Sequence, residues 1–168
     1  MKRLILLRHA KSSWRDPTLA DNDRPLSGRG ERDAPRMGTR LGRHGAAPDL
    51  VITSHAERAL RTATVVARAI DYPVDRIRVL PKLYLASPAE MLAVVGAQDR
   101  EVGCLLLVGH NPGLTELVNR LLPDLNLDNL PTAGVIAIDF DAESWSDVAR
   151  SSGRLAFYDY PKNPRPPA

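Results

Sequence analysis

Two histidines of this chain follow apolar runs that are typical of buried strands. Arg8 and His9 come directly after the apolar run 4–7, and His110 lies just beyond the run 104–107. In an open α/β sheet, ligands bind in the crevice outside the carboxyl ends of the strands. The sequence therefore predicts that both histidines belong to one shared site at that edge.

A third apolar run places another cation at the same edge. The run 50–53 precedes a predicted helix that begins near Glu57, which puts Arg58 on the first turn of that helix. Guanidinium groups match phosphoryl oxygens with paired hydrogen bonds. Glycines around His110 would let the backbone approach a ligand at a helix start, where anions are favoured. The set predicts an anion pocket suited to phosphate.

A histidine at the end of a strand can also have other roles. A lone histidine at a strand end could be a general base, a metal ligand, a nucleophile or a hydrogen-bonded core residue. A metal site would need carboxylates or closely spaced histidines, and flanking arginines would repel the cation. The chain also lacks the Gly-x-x-x-x-Gly-Lys-Ser pattern of nucleotide-hydrolysing loops. We therefore expect a phosphate site without metal ligands.

The predicted elements alternate between strands and helices. Strands are predicted at 4–7, 50–53, 76–80, 104–108, 132–140 and 154–159. Helices are predicted at 28–43, 57–70, 88–97 and 114–122. Pro35 removes an internal hydrogen bond, so the first helix should either begin near it or kink there. The order predicts a three-layer α/β/α sandwich around a mostly parallel sheet.

The composition fits one globular domain. The 168 residues are 43% hydrophobic, and no shift in composition argues for a second domain. We expect a single domain over 1–160 and an extended, proline-rich tail over 161–168. The formal charge of +3 comes from dispersed arginines rather than a basic run, so nucleic-acid binding is not expected.

The lack of a recognisable targeting signal and the single cysteine favour a cytoplasmic protein. The first apolar run is too short for a secretory signal, and no run approaches membrane-spanning length. Cys104 is the sole cysteine, which fits a reducing compartment, and its apolar neighbours predict a core position. A cysteine phosphatase would need an arginine six residues further on, where His110 stands. We expect a monomer that binds neither membranes nor nucleic acid.

Three segments together resemble a known family. Residues 7–10, 54–63 and 108–113 are similar to the motifs of the histidine phosphatase superfamily, which has the phosphoglycerate mutase-like fold. The short chain and the segment 23–30 most resemble the SixA-type phosphohistidine phosphatases. Ala10 departs from the family pattern, which usually has glycine after the first histidine.

The resemblance implies a mechanism and roles for four residues. His9 would attack phosphorus in line and become transiently phosphorylated, after which water would release phosphate. Arg8, Arg58 and His110 would hold the phosphoryl oxygens and stabilise the charge of the transition state. Neighbouring cations should lower the pKa of His9 and so keep a lone pair available. No metal or organic cofactor is implied.

The general acid is the part of this mechanism that the sequence does not supply. Many relatives carry a glutamate shortly after the third strand, but residues 80–84 contain no carboxylate. Glu90 is one candidate acid, although Ser87 three residues earlier predicts a capping role for it. Three aspartates lie on a loop that could cover the pocket: Asp16, Asp21 and the second candidate acid, Asp23. An imidazole leaving group needs a strong acid less than an alkoxide does, which favours phosphohistidine as substrate.

Residues just after His9 have competing interpretations. Ser12, Ser13 and Arg15 follow closely enough to touch a bound phosphate, and an ordinary polar loop is an equal alternative. Trp14 could pack against a substrate, but anchoring the loop is the commoner role. His55 is predicted on an exposed turn without a role.

The sequence leaves several functions open. The leading hypothesis is a phosphatase that hydrolyses phosphohistidine in a protein, or a related small phosphorylated compound. A short chain with few insertions would leave the crevice open to a side chain of another protein. The alternatives are a phosphomonoesterase or mutase for a small metabolite and a phosphate-binding module without turnover.

Overall fold

The computed structural model describes residues 1–167 and contains one six-stranded sheet. The strands are β1 (Lys2–Arg8), β2 (Leu50–Thr53), β3 (Arg78–Val79), β4 (Cys104–Gly109), β5 (Val135–Phe140) and β6 (Gly153–Asp159). They lie in the order β3-β2-β4-β1-β5-β6, and β5 pairs antiparallel with both of its neighbours. The other strands point in one direction, which confirms the mostly parallel sheet.

Helices cover both faces of the sheet. They are α1 (Gly28–Arg43), α2 (Glu57–Ala69), α3 (Pro88–Gly96) and α4 (Gly113–Leu121). Alternate residues of β1 enter two separate cores. Leu4 and Leu6 pack with α3 and α4, whereas Ile5 and Leu7 pack with α1 and α2. This arrangement confirms the predicted three-layer α/β/α sandwich.

The strand register brings the predicted site residues to one edge. Arg8 lies opposite Gly109 in the parallel pair of β1 and β4, and Thr53 lies opposite Val108 in the pair of β2 and β4. The backbone N–H of His9 donates to the Gly109 carbonyl at 3.1 Å, which extends the pairing past the end of β1. The carboxyl ends of three neighbouring strands therefore meet at one place, as the sequence predicted.

Helix α1 is continuous through its proline. The Ser27 hydroxyl caps its start by accepting from the Gly30 N–H at 3.2 Å, as predicted, and the helix runs past Pro35. The alternative that the helix begins near Pro35 is wrong. A Cβ on Gly30 would lie 2.1 Å from the Lys11 carbonyl oxygen, so only glycine lets α1 begin this close to the segment after His9.

Other element boundaries differ from the prediction for local reasons. β5 begins at Val135 rather than Thr132, because Ala133 has a φ of 59° and the Gly134 N–H closes a turn on the Pro131 carbonyl. Cys104 is only partly buried at the start of β4, so its predicted core position is wrong. Burial of this thiol still raises its pKa to about 11.

The end of the domain is held to α1 by a buried ion pair. Asp159 is fully buried and pairs with Arg40, and the His44 ring at the end of α1 lies 3.0 Å from the same carboxylate. Arg40 also donates to the Pro161 carbonyl at 3.2 Å. The boundary at residue 160 stays a prediction. No helix within residues 1–167 combines the length and apolar character needed to cross a membrane.

Candidate active site

The first histidine is held in one tautomer at the end of β1. His9 is 7% exposed, and its Nδ1 lies 2.8 Å from the Ala10 carbonyl oxygen. A carbonyl can only accept, so Nδ1 carries the hydrogen and donates it. The neutral ring therefore keeps its lone pair on Nε2, which is the atom of an imidazole that could attack phosphorus.

Thr62 connects the backbone just after His9 to helix α2. The Ala10 N–H donates to the Thr62 hydroxyl oxygen at 3.0 Å, and that hydroxyl donates to the Arg58 carbonyl at 2.7 Å. Ala10 is fully buried, so its methyl group is part of the packed interior. The departure from the usual glycine at this position is thus accommodated by the core.

Arg8 donates a hydrogen bond to the backbone near the site and has one N–H group without a partner among the described residues. Its Nη1 donates to the Leu130 carbonyl at 3.1 Å, and Asn111 donates to the same oxygen at 2.9 Å. Its Nε is buried and has no hydrogen-bond partner among residues 1–167. Because a buried N–H without a partner is costly, this donor is a candidate contact for a ligand.

The second histidine presents a similar free atom. The rings of His9 and His110 are 5.2 Å apart between centroids. The Nε2 atom of His110 lies 2.6 Å from the Ser54 hydroxyl, and its Nδ1 is buried without a partner in the described chain. Three buried side-chain nitrogens of the described residues lack a partner, and two of them, Arg8 Nε and His110 Nδ1, belong to predicted site residues; the third is His55 Nδ1. Arg8 Nε and His110 Nδ1 are therefore candidate contacts for a ligand.

The electrostatics of the pocket favour an anion. Burial, opposed by the hydrogen bond to the Ala10 carbonyl and reinforced by repulsion from His110, Arg58 and Arg8, lowers the pKa of His9 to about 3. Burial, followed by repulsion from Arg58, lowers the pKa of His110 to about 4. Both rings are therefore neutral at physiological pH, beside guanidinium groups that stay charged.

Arg58 is bound by an acidic residue of the loop. Its two terminal nitrogens donate to the backbone carbonyl of Asp21 at 2.7 Å and to the carboxylate at 2.9 Å. The Tyr84 hydroxyl donates to the same carboxylate oxygen, and Arg24 donates to the other one at 2.9 Å. These hydrogen bonds, that from Tyr84 first, hold the pKa of Asp21 well below its usual range. Asp21 is therefore ionised and cannot serve as a proton donor in this arrangement.

Three residues of this network were missed as site residues. From the sequence, Asp21 is expected only on the loop and Arg24 only within the family-like segment. Nothing in the sequence singled out Tyr84. Its ring lies edge-on to His110, with the centroids 5.4 Å apart, and so forms a wall of the pocket.

The residues predicted to contact substrate lie on the loop that follows His9. Arg24 donates to the hydroxyl of Ser12 and to the backbone carbonyl of Ser13, the latter at 3.1 Å. Arg15 is exposed, and its backbone N–H donates to the Ser13 hydroxyl at 3.0 Å. Contacts of these three residues with substrate stay predictions.

Trp14 and His55 differ from their expected environments. Trp14 is 72% exposed rather than buried as an anchor, and the Arg24 guanidinium lies 3.3 Å from its ring centre. His55 is partly buried rather than exposed, with its ring centroid 5.4 Å from that of Tyr84. His55 thus contributes to the same wall as Tyr84.

Neither candidate acid has the environment of a proton donor. Asp23 is exposed on the loop. Glu90 is exposed and accepts from the Ser87 backbone N–H at 3.0 Å, completing a capping box at the start of α3. This hydrogen bond lowers the pKa of Glu90. The structure thus gives Glu90 a capping contact, which leaves its predicted catalytic role without support.

Replacing Glu90 with alanine should leave turnover unchanged and lower stability slightly. The expected loss is about 1 kcal/mol of unfolding free energy, because only the capping contact is removed. Urea denaturation and steady-state kinetics on the same preparation would measure both effects. Ser87→Ala should cost a similar amount, since it removes the other half of the capping box. A large fall in kcat for Glu90→Ala alone would show instead that this carboxyl group takes part in the chemistry.

Comparison with known proteins identifies the fold and the family to which this chain belongs. The mixed sheet with helices on both faces is the phosphoglycerate mutase-like α/β fold. Residues 4–83 match the family model of the histidine phosphatase superfamily, branch 1. An uncharacterised protein of Mycobacterium tuberculosis is 32% identical over 165 residues, covering 93% of this chain and all of that protein. The chain belongs to the histidine phosphatase superfamily.

Solved structures extend the similarity over nearly the whole chain. A candidate phosphohistidine phosphatase SixA from Agrobacterium tumefaciens superposes with a TM-score of 0.82 at 29% identity, covering 95% of this chain and 98% of that one. The protein histidine phosphatase SixA in complex with tungstate also gives 0.82, at 22% identity and with 97% and 99% coverage. The second match supports the fold alone. The predicted resemblance to SixA-type proteins is confirmed.

Proposed function

We propose that this protein is a metal-independent phosphatase that hydrolyses phosphohistidine through a phosphohistidine intermediate on His9. The observation that carries the proposal is the free lone pair on His9 Nε2, in a site where two buried nitrogens, Arg8 Nε and His110 Nδ1, have no partner among the described residues. A phosphoryl group there would receive hydrogen bonds from Arg8 Nε and His110 Nδ1. Burial and then repulsion from Arg58 lower the pKa of Arg8, and the negative charge of the phosphoryl group would offset that repulsion.

The reaction would proceed in two displacements. The Nε2 lone pair of His9 forms a bond to phosphorus, while the bond to the leaving imidazole nitrogen breaks and that nitrogen takes up a proton from solvent. Water then attacks the same phosphorus and the bond to Nε2 breaks, so that His9 regains its lone pair and the protons of the water leave with inorganic phosphate. The arginines and His110 stabilise charge on the equatorial oxygens in both steps.

The acidic residues around the pocket favour a nitrogen leaving group. Asp21 is ionised and bound by three donors, and Glu90 is used in a capping box. An alkoxide leaving group depends strongly on a positioned acid, whereas an imidazole can be protonated without one. A phosphorylated side chain of another protein is therefore the proposed substrate, and small phosphorylated metabolites are the alternative.

The two site histidines should resist protonation until the solution is strongly acidic. Their folded pKa values of about 3 and 4 lie below the ordinary value of 6.5. Below pH 6.5 the unfolded chain therefore binds more protons than the folded one, and the free energy of unfolding falls as the pH drops from 7 towards 4. An NMR titration of the imidazole resonances should find His9 and His110 neutral at pH 5. An inflection near 6.5 for either ring would contradict this.

Substrate preference provides the test of the proposed function. Phosphate release would be measured from a phosphohistidine-bearing protein and from para-nitrophenyl phosphate, with EDTA present throughout. We expect turnover that EDTA does not affect and a kcat/KM that is higher for the phosphohistidine protein. A preference for phosphate esters would favour a metabolite phosphatase. Phosphate binding without any turnover would point to a binding module.

A further inference from the structure

Ser54 is a buried hydroxyl in the pocket to which no role has yet been given. It is the first residue after β2 and is fully buried. Among the described residues, its side chain forms one hydrogen bond, to His110 Nε2 at 2.6 Å. His110 is itself 3% exposed, so neither group can exchange this contact for bulk water.

The length of this hydrogen bond is compatible with two arrangements of hydrogen. Either Ser54 donates to an unprotonated Nε2, or an Nε2–H donates to the serine oxygen. The first places the ring hydrogen of neutral His110 on Nδ1, and the second leaves a lone pair there. The two tautomers would present opposite polarity at the Nδ1 atom.

Counting unsatisfied groups distinguishes the two tautomers. With the hydrogen on Nδ1, the Ser54 hydroxyl is satisfied, and the Nδ1–H alone lacks a partner among residues 1–167. With the hydrogen on Nε2, the serine hydrogen lacks an acceptor and the Nδ1 lone pair lacks a donor. Each buried unsatisfied group costs about 1–3 kcal/mol. The Nδ1–H tautomer is therefore favoured even without a ligand.

A phosphoryl group would increase this preference. Its oxygens are acceptors, so they bind an Nδ1–H and are repelled by a lone pair at the same atom. We propose that Ser54 is a positioning residue that holds His110 in the Nδ1–H tautomer, so that the ring donates to a phosphoryl oxygen. The role in turnover rests on the proposed phosphatase function, whereas the tautomer does not.

Nitrogen-15 NMR of histidine-labelled protein tests the tautomer directly. In the wild type, His110 should show a protonated Nδ1 and an unprotonated Nε2 at pH 7. Inorganic phosphate should shift the Nδ1 resonance more than the Nε2 resonance. A wild-type spectrum with the hydrogen on Nε2 would overturn the proposal, and this result needs no variant to fold.

Two variants of adjacent residues separate positioning from packing. Ser54→Ala removes the hydroxyl, so the His110 population with Nδ1–H should fall. Thr53→Val is the matched control, because the Thr53 hydroxyl is equally buried but donates to the Ser54 carbonyl at 3.1 Å and does not contact His110. It should leave the tautomer unchanged.

Kinetics of the same variants complete the test. Ser54→Ala should lower kcat about 10–100-fold with a smaller change in KM, because the misoriented donor acts mainly on charge that develops in the transition state. Thr53→Val should change kcat less than about threefold. An unchanged tautomer in Ser54→Ala, or equal kinetic losses in both variants, would overturn the proposal. A shifted tautomer in a protein that turns over no substrate would remove the proposed function and leave the tautomer assignment standing.

Discussion

Replacing His9 with alanine is expected to lower phosphate release by about 10³-fold or more. The reason is that the Nε2 lone pair of His9 is the nucleophile of the proposed reaction, and no other group in the site can take its place. His110 cannot substitute for it, since its Nε2 is bound to Ser54. Initial rates on the phosphohistidine-bearing protein, measured for wild type and variant at equal concentrations, would give the ratio.

Two controls show whether that loss comes from the chemistry. The variant should still bind inorganic phosphate, because Arg8, Arg58 and His110 are unchanged. Added imidazole should restore part of the activity by occupying the space left by the ring. Retention of more than about a tenth of the wild-type rate would mean that His9 is not the nucleophile.

Replacing Arg8 with lysine should lower kcat/KM by about 10²–10³-fold. Lysine keeps the positive charge but cannot donate to the Leu130 carbonyl and to a phosphoryl oxygen with the rigid geometry of a guanidinium. The loss should appear in both kcat and phosphate affinity. Steady-state kinetics and calorimetric titration with inorganic phosphate would measure the two effects.

The same substitution at the other end of β1 is the matched control. Arg3 pairs with Asp139 at 2.6 Å and lies at the far end of the strand from the pocket. Arg3→Lys should leave kcat/KM unchanged, because that ion pair is partly exposed and of small energetic value. Equal losses in the two variants would indicate a general effect on the strand rather than a contact between Arg8 and substrate.

The residues that directly follow β1, β2 and β4 were predictable as site residues because strand ends depend on local sequence. Apolar runs define β1, β2 and β4, and parallel pairing then places whatever follows them at one edge. His9 and His110 follow directly from this rule, and Arg58 follows from a helix start just beyond β2. The order of the strands was not predicted, because the alternation of strands and helices indicates a mostly parallel sheet but does not determine which strands are neighbours.

The contacts of the loop were not predictable in the same way. Asp21 and Tyr84 are 63 positions apart in the sequence, and they meet only because two irregular segments cross the pocket. No periodicity or residue spacing in the sequence predicts such a contact. Ser54 was visible within a family-like motif, but its role depends on the direction of one hydrogen bond to His110.

Two expectations were wrong for separate physical reasons: a helix start near Pro35 and a core position for Cys104. Local preference predicted that the helix would begin or kink at Pro35, but α1 already begins at Gly28, and its buried face, including Ala34 and Met37, packs against the sheet on both sides of Pro35. Cys104 was assigned to the core from its apolar neighbours. It is instead the first residue of β4, at the end of the strand, where its side chain is only partly buried.

Trapping the intermediate tests the proposed mechanism most directly. The enzyme would be mixed with excess phosphohistidine-bearing protein and quenched within milliseconds in alkali, in which phosphohistidine survives. Peptide mass spectrometry would then locate the phosphoryl group. We predict that it is found on His9 during turnover and is absent from His9→Ala. Steady turnover in which His9 never carries a phosphoryl group would contradict the mechanism, because phosphate would then pass directly from substrate to water.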